Sequence, residues 1–454
     1  MFLKRSLYKF FILALVSFSY FSCGSDDDGV TSDPLLGEIA WVKTYGGSDE
    51  DEATSIVRSN DGGYMVLGTT RSSDGDVTGK SSSDQDYWLL SLDSNGEKNW
   101  DRTYGGSLDD KASNIEKTND GGYIISGYTT SNDGDVSENA GFHDYWIVKI
   151  NGTGDIQWEK SFGFEGDDRC FRVIQTTDGG YFATGYLDID ASDGGGNDLI
   201  DGQNTKAGQH SLGDYWGIRM DANGNKIWRR YFGGSHVDQG KDVIQTSDGG
   251  FLLIGISESI DFDITNARGA NDFWVVKVSP DGDIVWEKSF GGSQSDFAYS
   301  VVNTSGGNFL ITGDTRSSDF DVSNFKGNAD VWMVKFNSTN GNIIWEKTFG
   351  GTNFDSSRGI TKLANGNYLI SGNSSSSDMD VSSNHGFNDT WSFIIDEDGN
   401  LEFEISLGGS NIDFALDAQE TSDNKLIIVG YTGSNDFDIN LNKGGNDLLI
   451  YKIK

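Results

Sequence analysis

The stretch Trp41-Val42-Lys43-Thr44-Tyr45-Gly46-Gly47 (WVKTYGG) returns six more times along a chain of 454 residues. With small changes it reappears at Trp100, Trp158, Trp228, Trp286, Trp345 and Phe403, at intervals of 59, 58, 70, 58, 59 and 58 residues. A fixed period of this length marks a repeat architecture, in which each unit buries its apolar face only against its neighbours. The one long interval takes up its extra residues in a single place, Asp188 to Gly213.

Between successive markers the sequence reads as strands and turns. In the second unit Ala112 to Thr118 is a strand, Asn119-Asp120-Gly121-Gly122 a tight turn, and Tyr123 to Thr129 a second strand. A loop follows, then Asp144 to Ile150, the turn Gly152-Thr153-Gly154-Asp155, and Ile156 to Phe162. Apolar residues alternate or run continuously in these segments, and no helical period appears. Four antiparallel strands repeated round a ring predict an all-β, seven-bladed β-propeller over residues 39–454. The first marker strand (Ile39 to Tyr45) precedes any complete unit, and the last unit stops after its third strand, Asp447 to Lys454. Moving the N-terminal strand into the last blade completes it and covers a sheet edge that would otherwise stand open.

The units resemble the SBBP β-propeller repeat family of bacterial surface and secreted proteins. The phrases that carry the resemblance are Gly-Gly-Ser-x-x-Asp (Gly105 to Asp110), the Asp-Gly-Gly-Tyr hairpin, the Gly-x-Thr close of the second strand and the Asp-x-Trp-[Ile/Val]-Val-Lys strand. The resemblance covers nearly all of the chain after the leader. It implies the propeller fold and a cell-surface setting, and no particular reaction.

Residues 1–22 read as a signal peptide, with Lys4, Arg5 and Lys9 ahead of an apolar run that ends at Phe21. Ser22-Cys23-Gly24 resembles a bacterial lipobox, with Tyr20 where leucine is usual, so Cys23 is the expected site of lipid attachment. Residues 23–38 are then an acidic tether, and the membrane is a partner through the lipid alone. Ser25-Asp26-Asp27-Asp28 resembles the export signal of surface lipoproteins, which puts the chain on the outer membrane facing the exterior; a plain solvated spacer is the alternative. Cys170 loses its one potential partner when Cys23 is lipidated and is expected as a buried free thiol. Formal charge is −36, and because three of the 34 basic residues lie in the leader, the mature chain carries −39. Such acidity excludes nucleic acid as a partner, since its backbone demands a basic surface. The folded chain is expected to be a monomer.

Six units carry an acidic knot on the loop between the second and third strands: SSDGDV (72–77), SNDGDV (131–136), SIDFDI (259–264), SSDFDV (317–322), SSDMDV (376–381) and SNDFDI (434–439). Asp133, Asp135 and Asp144 fall at loop positions 1, 3 and 12, as do Asp261, Asp263 and Asp272; Asp319, Asp321 and Asp330; Asp378, Asp380 and Asp389; and Asp436, Asp438 and Asp447. Oxygen ligands at that spacing suit a calcium loop, although the glycine at position 6 is missing and aspartate replaces the glutamate at 12. The competing reading, which we favour, is that the aspartates cap turns. No cofactor is established by the sequence, and calcium is the alternative. A further ring, Asp51, Asp110, Asp168, Asp238, Asp296, Asp355 and Asp413, is expected to fix the link between blades, and the recurring tryptophans to pack them.

The loop that departs from the repeat gathers Asp188, Asp190, Asp193, Asn197, Asp198 and Asp201 and is the candidate for a specific ligand site. No catalytic residues stand out: His143, His210, His236 and His385 lie in different loops, and no serine elbow or phosphate loop appears. The sequence therefore reads as a surface-tethered binding or scaffold module that presents an acidic loop face to a protein or glycan. An extracellular lyase or glycosidase on a propeller is the alternative. Mass spectrometry of the mature N-terminus is expected to find a diacylated Cys23, and an unmodified N-terminus elsewhere in the chain would exclude the anchor.

Overall fold

A computed structural model describes residues 37–193, 195–198 and 210–454, which form seven sheets of four antiparallel strands, each sheet in simple sequential order. Blades 1 to 6 span residues 51–104, 110–162, 169–232, 238–290, 296–349 and 355–407, and blade 7 combines 413–453 with 39–45. The N-terminal strand Ile39–Tyr45 pairs with Asp447–Ile453, and Glu38 and Lys454 exchange both backbone hydrogen bonds beyond it. Ring closure by the N-terminal strand is thus observed. First strands begin two residues earlier than their apolar pattern suggests, at Asp110 rather than Ala112 in blade 2. A charged residue breaks the pattern, but this one is fully buried.

The core is divided into seven wedges, each between two neighbouring blades. The third strands are buried on both faces, so they read as continuous apolar runs, with Trp88, Trp146, Trp216, Trp274, Trp332 and Trp391 fully enclosed. Tyr87, Tyr145 and Tyr215 each donate to the backbone carbonyl of the tryptophan one blade on, at 3.1, 3.2 and 2.9 Å. The marker tryptophans lie further out. Trp41 covers the turn glycine Gly96 of the next blade, Trp100 covers Gly154, and Phe403 covers Gly37, which serves as the missing turn of blade 7. These glycines have φ of 76°, 83° and 75°, so the turn and the close ring contact both exclude a side chain. Cys170 is a free, buried thiol whose ionisation burial pushes up to about 12.

The first strands are innermost and line a central channel to which all seven contribute. Each carries a bulge at the same place, leaving Thr54, Ser113, Phe171, Lys241, Tyr299, Arg358 and Leu416 as the extra residues. Side chains tie some inner strands to the next. Asn114, Asp242 and Asp417 accept the backbone N–H of Val173, Val301 and Ile56 in the following blade, at 3.2, 3.0 and 2.9 Å, and the last of these crosses the chain's two ends.

Deleting Ile39 to Tyr45 removes the outer strand of blade 7 and the anchor of Trp41. The expected cost exceeds about 4 kcal/mol, the range of changes that strip a core element, with aggregation through the exposed edge. A melting temperature and gel-filtration profile equal to the intact chain's would show that this strand does not hold the ring.

Candidate functional site

The links from fourth to first strands and the loops from second to third strands share one face of the ring. The buried aspartate that opens each first strand organises that face. Asp110 accepts from the Gly106 N–H at 2.8 Å, from the Ser131 hydroxyl at 2.9 Å and from the Thr129 hydroxyl. Asp51, Asp296, Asp355 and Asp413 repeat the set with the equivalent glycine, serine and threonine or serine. One carboxylate therefore joins the end of one blade to the first and second strands of the next, as the sequence led us to expect.

The knot aspartates complete this junction. Asp133 accepts from Ser107 N at 2.7 Å and Asp135 from Gly105 N at 3.3 Å. Asp319 and Asp321 do the same with Ser293 and Gly291, at 2.7 and 3.4 Å. The pairs Asp261 and Asp263, Asp378 and Asp380, and Asp436 and Asp438 follow suit. The position-12 aspartates sit at the start of the third strand, where Oδ2 accepts the N–H four residues back: Ala140 for Asp144, Arg268 for Asp272, Lys326 for Asp330, His385 for Asp389 and Lys443 for Asp447. The position-12 bonds are local turn caps, whereas those at positions 1 and 3 tie the loop to the end of the preceding blade. Among the described residues no three acidic, histidine or cysteine side chains converge on a metal-sized point. At the knots each carboxylate holds its backbone donor through one oxygen, while Oδ1 of Asp144, Asp272, Asp330, Asp389 and Asp447 is buried without a hydrogen-bond partner.

A basic residue four positions before the third strand was not singled out by the spacing, yet it clasps the blades together. Arg268 reaches Asp321 of the next blade at 3.2 Å, Lys326 reaches Asp380, Lys443 reaches Asp76, and His385 and His210 approach Asp438 and Asp263 at 3.8 and 4.0 Å. The signal was the shared phrase, basic residue then three residues then Asp, with lysine, arginine and histidine interchanged. In blade 1 the loop is one residue longer and Lys80 turns inward to Asp86 at 2.8 Å. Ala140 fills the position in blade 2.

The irregular loop of blade 3 compensates for a substitution. In five blades the third-strand tryptophan donates its indole N–H to an acidic residue of the fourth strand, Asp101, Glu159, Glu287, Glu346 or Glu404. Blade 3 has Arg229 there, and Trp216 donates instead to the Gly196 carbonyl of the loop at 2.9 Å. Asp198 binds Lys226 and, at 3.3 Å, Arg229, while Asp188 accepts from Ala191 N at 3.2 Å. Asp190 and Asp193 are exposed, and Asn197 is half-buried beside them. Asp201 lies outside the described residues. The loop's acidic groups are thus divided between ion pairs, a turn and solvent.

The knots carry a second unanticipated feature. Their central residue takes a left-handed conformation, with φ of 65° and 66° at Gly75 and Gly134. In blades 4 to 7 the same place holds Phe262, Phe320, Met379 and Phe437, at φ of 57°, 52°, 58° and 53°. Such a conformation costs an L-residue roughly 1–2 kcal/mol. Three rings lay one face on the clasp residue of the preceding blade: Phe262 on His210, Phe320 on Arg268 and Phe437 on His385. The Arg268 contact of Phe320 returns about 0.5–1 kcal/mol at an exposed site and an aromatic stack about 0.5–1.5 kcal/mol, so the strain is offset only in part. Phe320, Met379 and Phe437 stay 68%, 64% and 62% exposed.

The channel breaks the symmetry further. Its half toward the short hairpins encloses about 720 Å³. There Arg172 lies 3.3 Å from Asp242, within the field of Glu116 and Asp417 as well. The half toward the loop face carries Arg169, Lys241 and Arg358 among Phe171, Tyr299 and Tyr128.

No family model and no curated protein matches the chain. Solved structures similar to it include the Pan2 WD40 domain of Neurospora crassa, at 10% identity and a TM-score of 0.47 over 92% of this chain and 97% of that one. A protein of unknown function from Bacteroides caccae is similar at 12% identity and a TM-score of 0.40, over 72% and 94%. An acylaminoacyl peptidase of Pyrococcus horikoshii is similar at 10% and 0.44, over 86% and 51%. At these values the likeness carries no argument about activity, and the fold rests on the strand order itself.

Burial sets the titration of the junction aspartates. It pushes Asp86, Asp168 and Asp272 up to about 7, and Asp144, Asp238, Asp330, Asp389 and Asp447 up to about 6; hydrogen bonds oppose it, and in most cases a carboxylate of the adjoining junction adds to it. The folded chain therefore holds these protons more tightly than the unfolded one. Their contribution to stability is fully present below the unfolded value near 4 and is lost as pH rises through 6 to 7. The melting temperature is expected to climb as pH falls from 8 to 5 at constant ionic strength, by at most about 1.4 kcal/mol per group and pH unit. The combined Asp86→Asn and Asp272→Asn variant should show a flatter profile. A higher melting temperature at pH 8 would contradict the assignment.

Proposed function

We propose that the chain is a ligand-binding module of the bacterial cell surface, tethered by lipid on Cys23, whose loop face binds an extracellular glycan. The observation that supports this most is the row of exposed apolar residues, Phe262, Phe320, Met379 and Phe437, kept in a left-handed conformation at four consecutive knots. Glycine occupies that position in blades 1 and 2 without harm to the fold. Strain that contacts in the folded state offset only in part points to a role outside it. Isolated apolar side chains, three of them rings, set among Asp, Asn and Ser suit a ligand with both apolar faces and hydroxyl groups, and the four stand one blade apart, a spacing suited to a repeating chain. A protein partner, favoured by a contiguous apolar patch, is the other outcome. The likeness of the repeat phrases to the SBBP propellers supports the surface setting, as does the leader ending at Cys23.

Replacing Phe262, Phe320, Met379 and Phe437 together with glycine tests the reading. The melting temperature should hold or rise, because relief of strain offsets the entropy glycine gives the unfolded chain. Binding in a screen of extracellular glycans and proteins should fall at least tenfold. A marked loss of stability would mean that the rings serve the clasps, and unchanged glycan binding would move the site elsewhere.

A further inference from the structure

Lys241 occupies the bulge of the first strand of blade 4, on the loop-face side of the channel. Its ammonium donates to Gln239 at 2.7 Å and stands 4.0 Å from the centre of the Phe171 ring. Among the described residues no carboxylate comes within ion-pair distance of it. The other cations of this half are differently placed. Arg169 is held by Asp167 at 2.7 Å, and Arg358 by Asp314 at 3.4 Å while lying 4.0 Å over Tyr299. Lys241 is half-buried as a residue. Burial, followed by the like charges of Arg358 and Arg169, lowers its ionisation to about 7. A desolvated ammonium without a counter-charge is costly and is ordinarily paired. Here a chain with 70 acidic residues leaves it without one, while the neighbouring arginines have theirs.

We infer that the loop-face half of the channel is a binding site for a small organic monocarboxylate, whose carboxylate pairs with Lys241 and whose body lies against the aromatic residues of the bulges. Lys241 without a carboxylate partner, beside Arg358 and Arg169, favours an anion, and the aromatic walls of the bulges favour an organic acid over phosphate. Hydrogen bonds to a charged group are the strong ones, and Arg169 and Arg358 keep donors free to add to that from Lys241. Phe171 on blade 3 and Tyr299 on blade 5 flank Lys241 at equivalent bulge positions and supply apolar walls. The site is independent of the glycan reading: it uses the first strands, not the knots.

Calorimetric titration of the mature chain with benzoate, glucuronate and inorganic phosphate tests the inference. At least one carboxylate should bind, and phosphate more weakly; the ranking of benzoate against glucuronate tells an aromatic acid from an acidic sugar. Lys241→Met should lose about tenfold or more in affinity, the value of a charge-assisted bond, and Lys241→Arg should retain binding. Without ligand, Lys241→Met should melt no lower than the parent, because it removes a partly desolvated charge that no carboxylate pairs. Absence of carboxylate binding, equal affinity in Lys241→Met, or tighter binding of phosphate would overturn the site. If both Lys241→Met and Lys241→Gln fail to fold, the ammonium is structural and the inference falls as well.

Discussion

A buried carboxylate at each blade junction is the constraint on which the rest of this propeller depends. Removing a carboxylate from water costs several kcal/mol unless its oxygens are taken up, and the conserved phrases of the repeat supply what it needs. The second glycine of the marker gives its N–H, the threonine that ends the second strand gives a hydroxyl, and the serine two residues on gives another. The first glycine is required for a different reason. A side chain on Gly46 would meet Asp447 Oδ1 at 2.5 Å and Asp51 Oδ2 at 2.6 Å, and on Gly105 it would meet Asp86 and Asp110 at 2.1 and 2.7 Å. Two carboxyls from neighbouring blades thus converge on one glycine. Blade 3 shows the dependence by exception. Leu187 and Ile189 stand where the hydroxyls should be, and Asp168 relies on the backbone N–H groups of Phe164 and Asp188, at 2.7 and 2.9 Å.

The fold was legible because burial is periodic and period survives substitution. The marker, the four-strand unit and the displaced N-terminal strand follow from spacing, and spacing needs no knowledge of contacts. Paired changes were also on the page. Blade 7 has Leu449 where the others have tryptophan, and Val42 where five of them have the acid that accepts its indole N–H. The bulges were hidden, because Thr54, Ser113, Phe171, Lys241, Tyr299, Arg358 and Leu416 share no chemistry. What they share is a backbone shift against the glycine of the second strand: a side chain on Gly68 would meet the Glu52 carbonyl at 1.8 Å.

The loop face was half legible, and the division is physical. Aspartates at positions 1, 3 and 12 are equally consistent with a cation or with turn caps, since both need oxygen at fixed spacing. The partners of positions 1 and 3 are N–H groups 26 to 30 residues upstream, and that of position 12 is the N–H four residues back. The clasps span 53 or 54 residues, or 367 for Lys443 to Asp76 across the ring closure, and vary among lysine, arginine and histidine, so no single letter recurs. The left-handed phenylalanines left a fainter sign. Aligning SSDFDV with SSDGDV puts Phe320 on Gly75, and a glycine in one copy is evidence about the backbone of every copy. The blade 3 loop was rightly singled out as irregular, but its contacts explain part of that irregularity by Arg229: once the acid was gone, a carbonyl had to reach Trp216.

Electrostatics separates the two faces of this asymmetry. With 34 basic residues against 70 acidic ones, most cations of the ring stand at places where two segments must be joined: Arg268, Lys326 and Lys443 between blades, and Lys149, Arg219 and Lys277 under the hairpin aspartates. Exposed pairs of this kind contribute little singly, about 0–1 kcal/mol, and matter as registers that fix one loop against the next. Lys241 meets the Phe171 ring of the neighbouring blade but no carboxylate. The net charge of the chain favours a cation anywhere on it, but that field is screened within about 8 Å at physiological ionic strength, whereas Arg169 and Arg358 act across the channel itself. Locally the repulsion and the lost hydration win, which is why the ionisation of Lys241 falls despite an acidic chain. A site that is cationic inside a strongly anionic surface admits an anion only where the aspartate-rich rim leaves a path, and such a rim selects against large polyanions more strongly than against small singly charged acids.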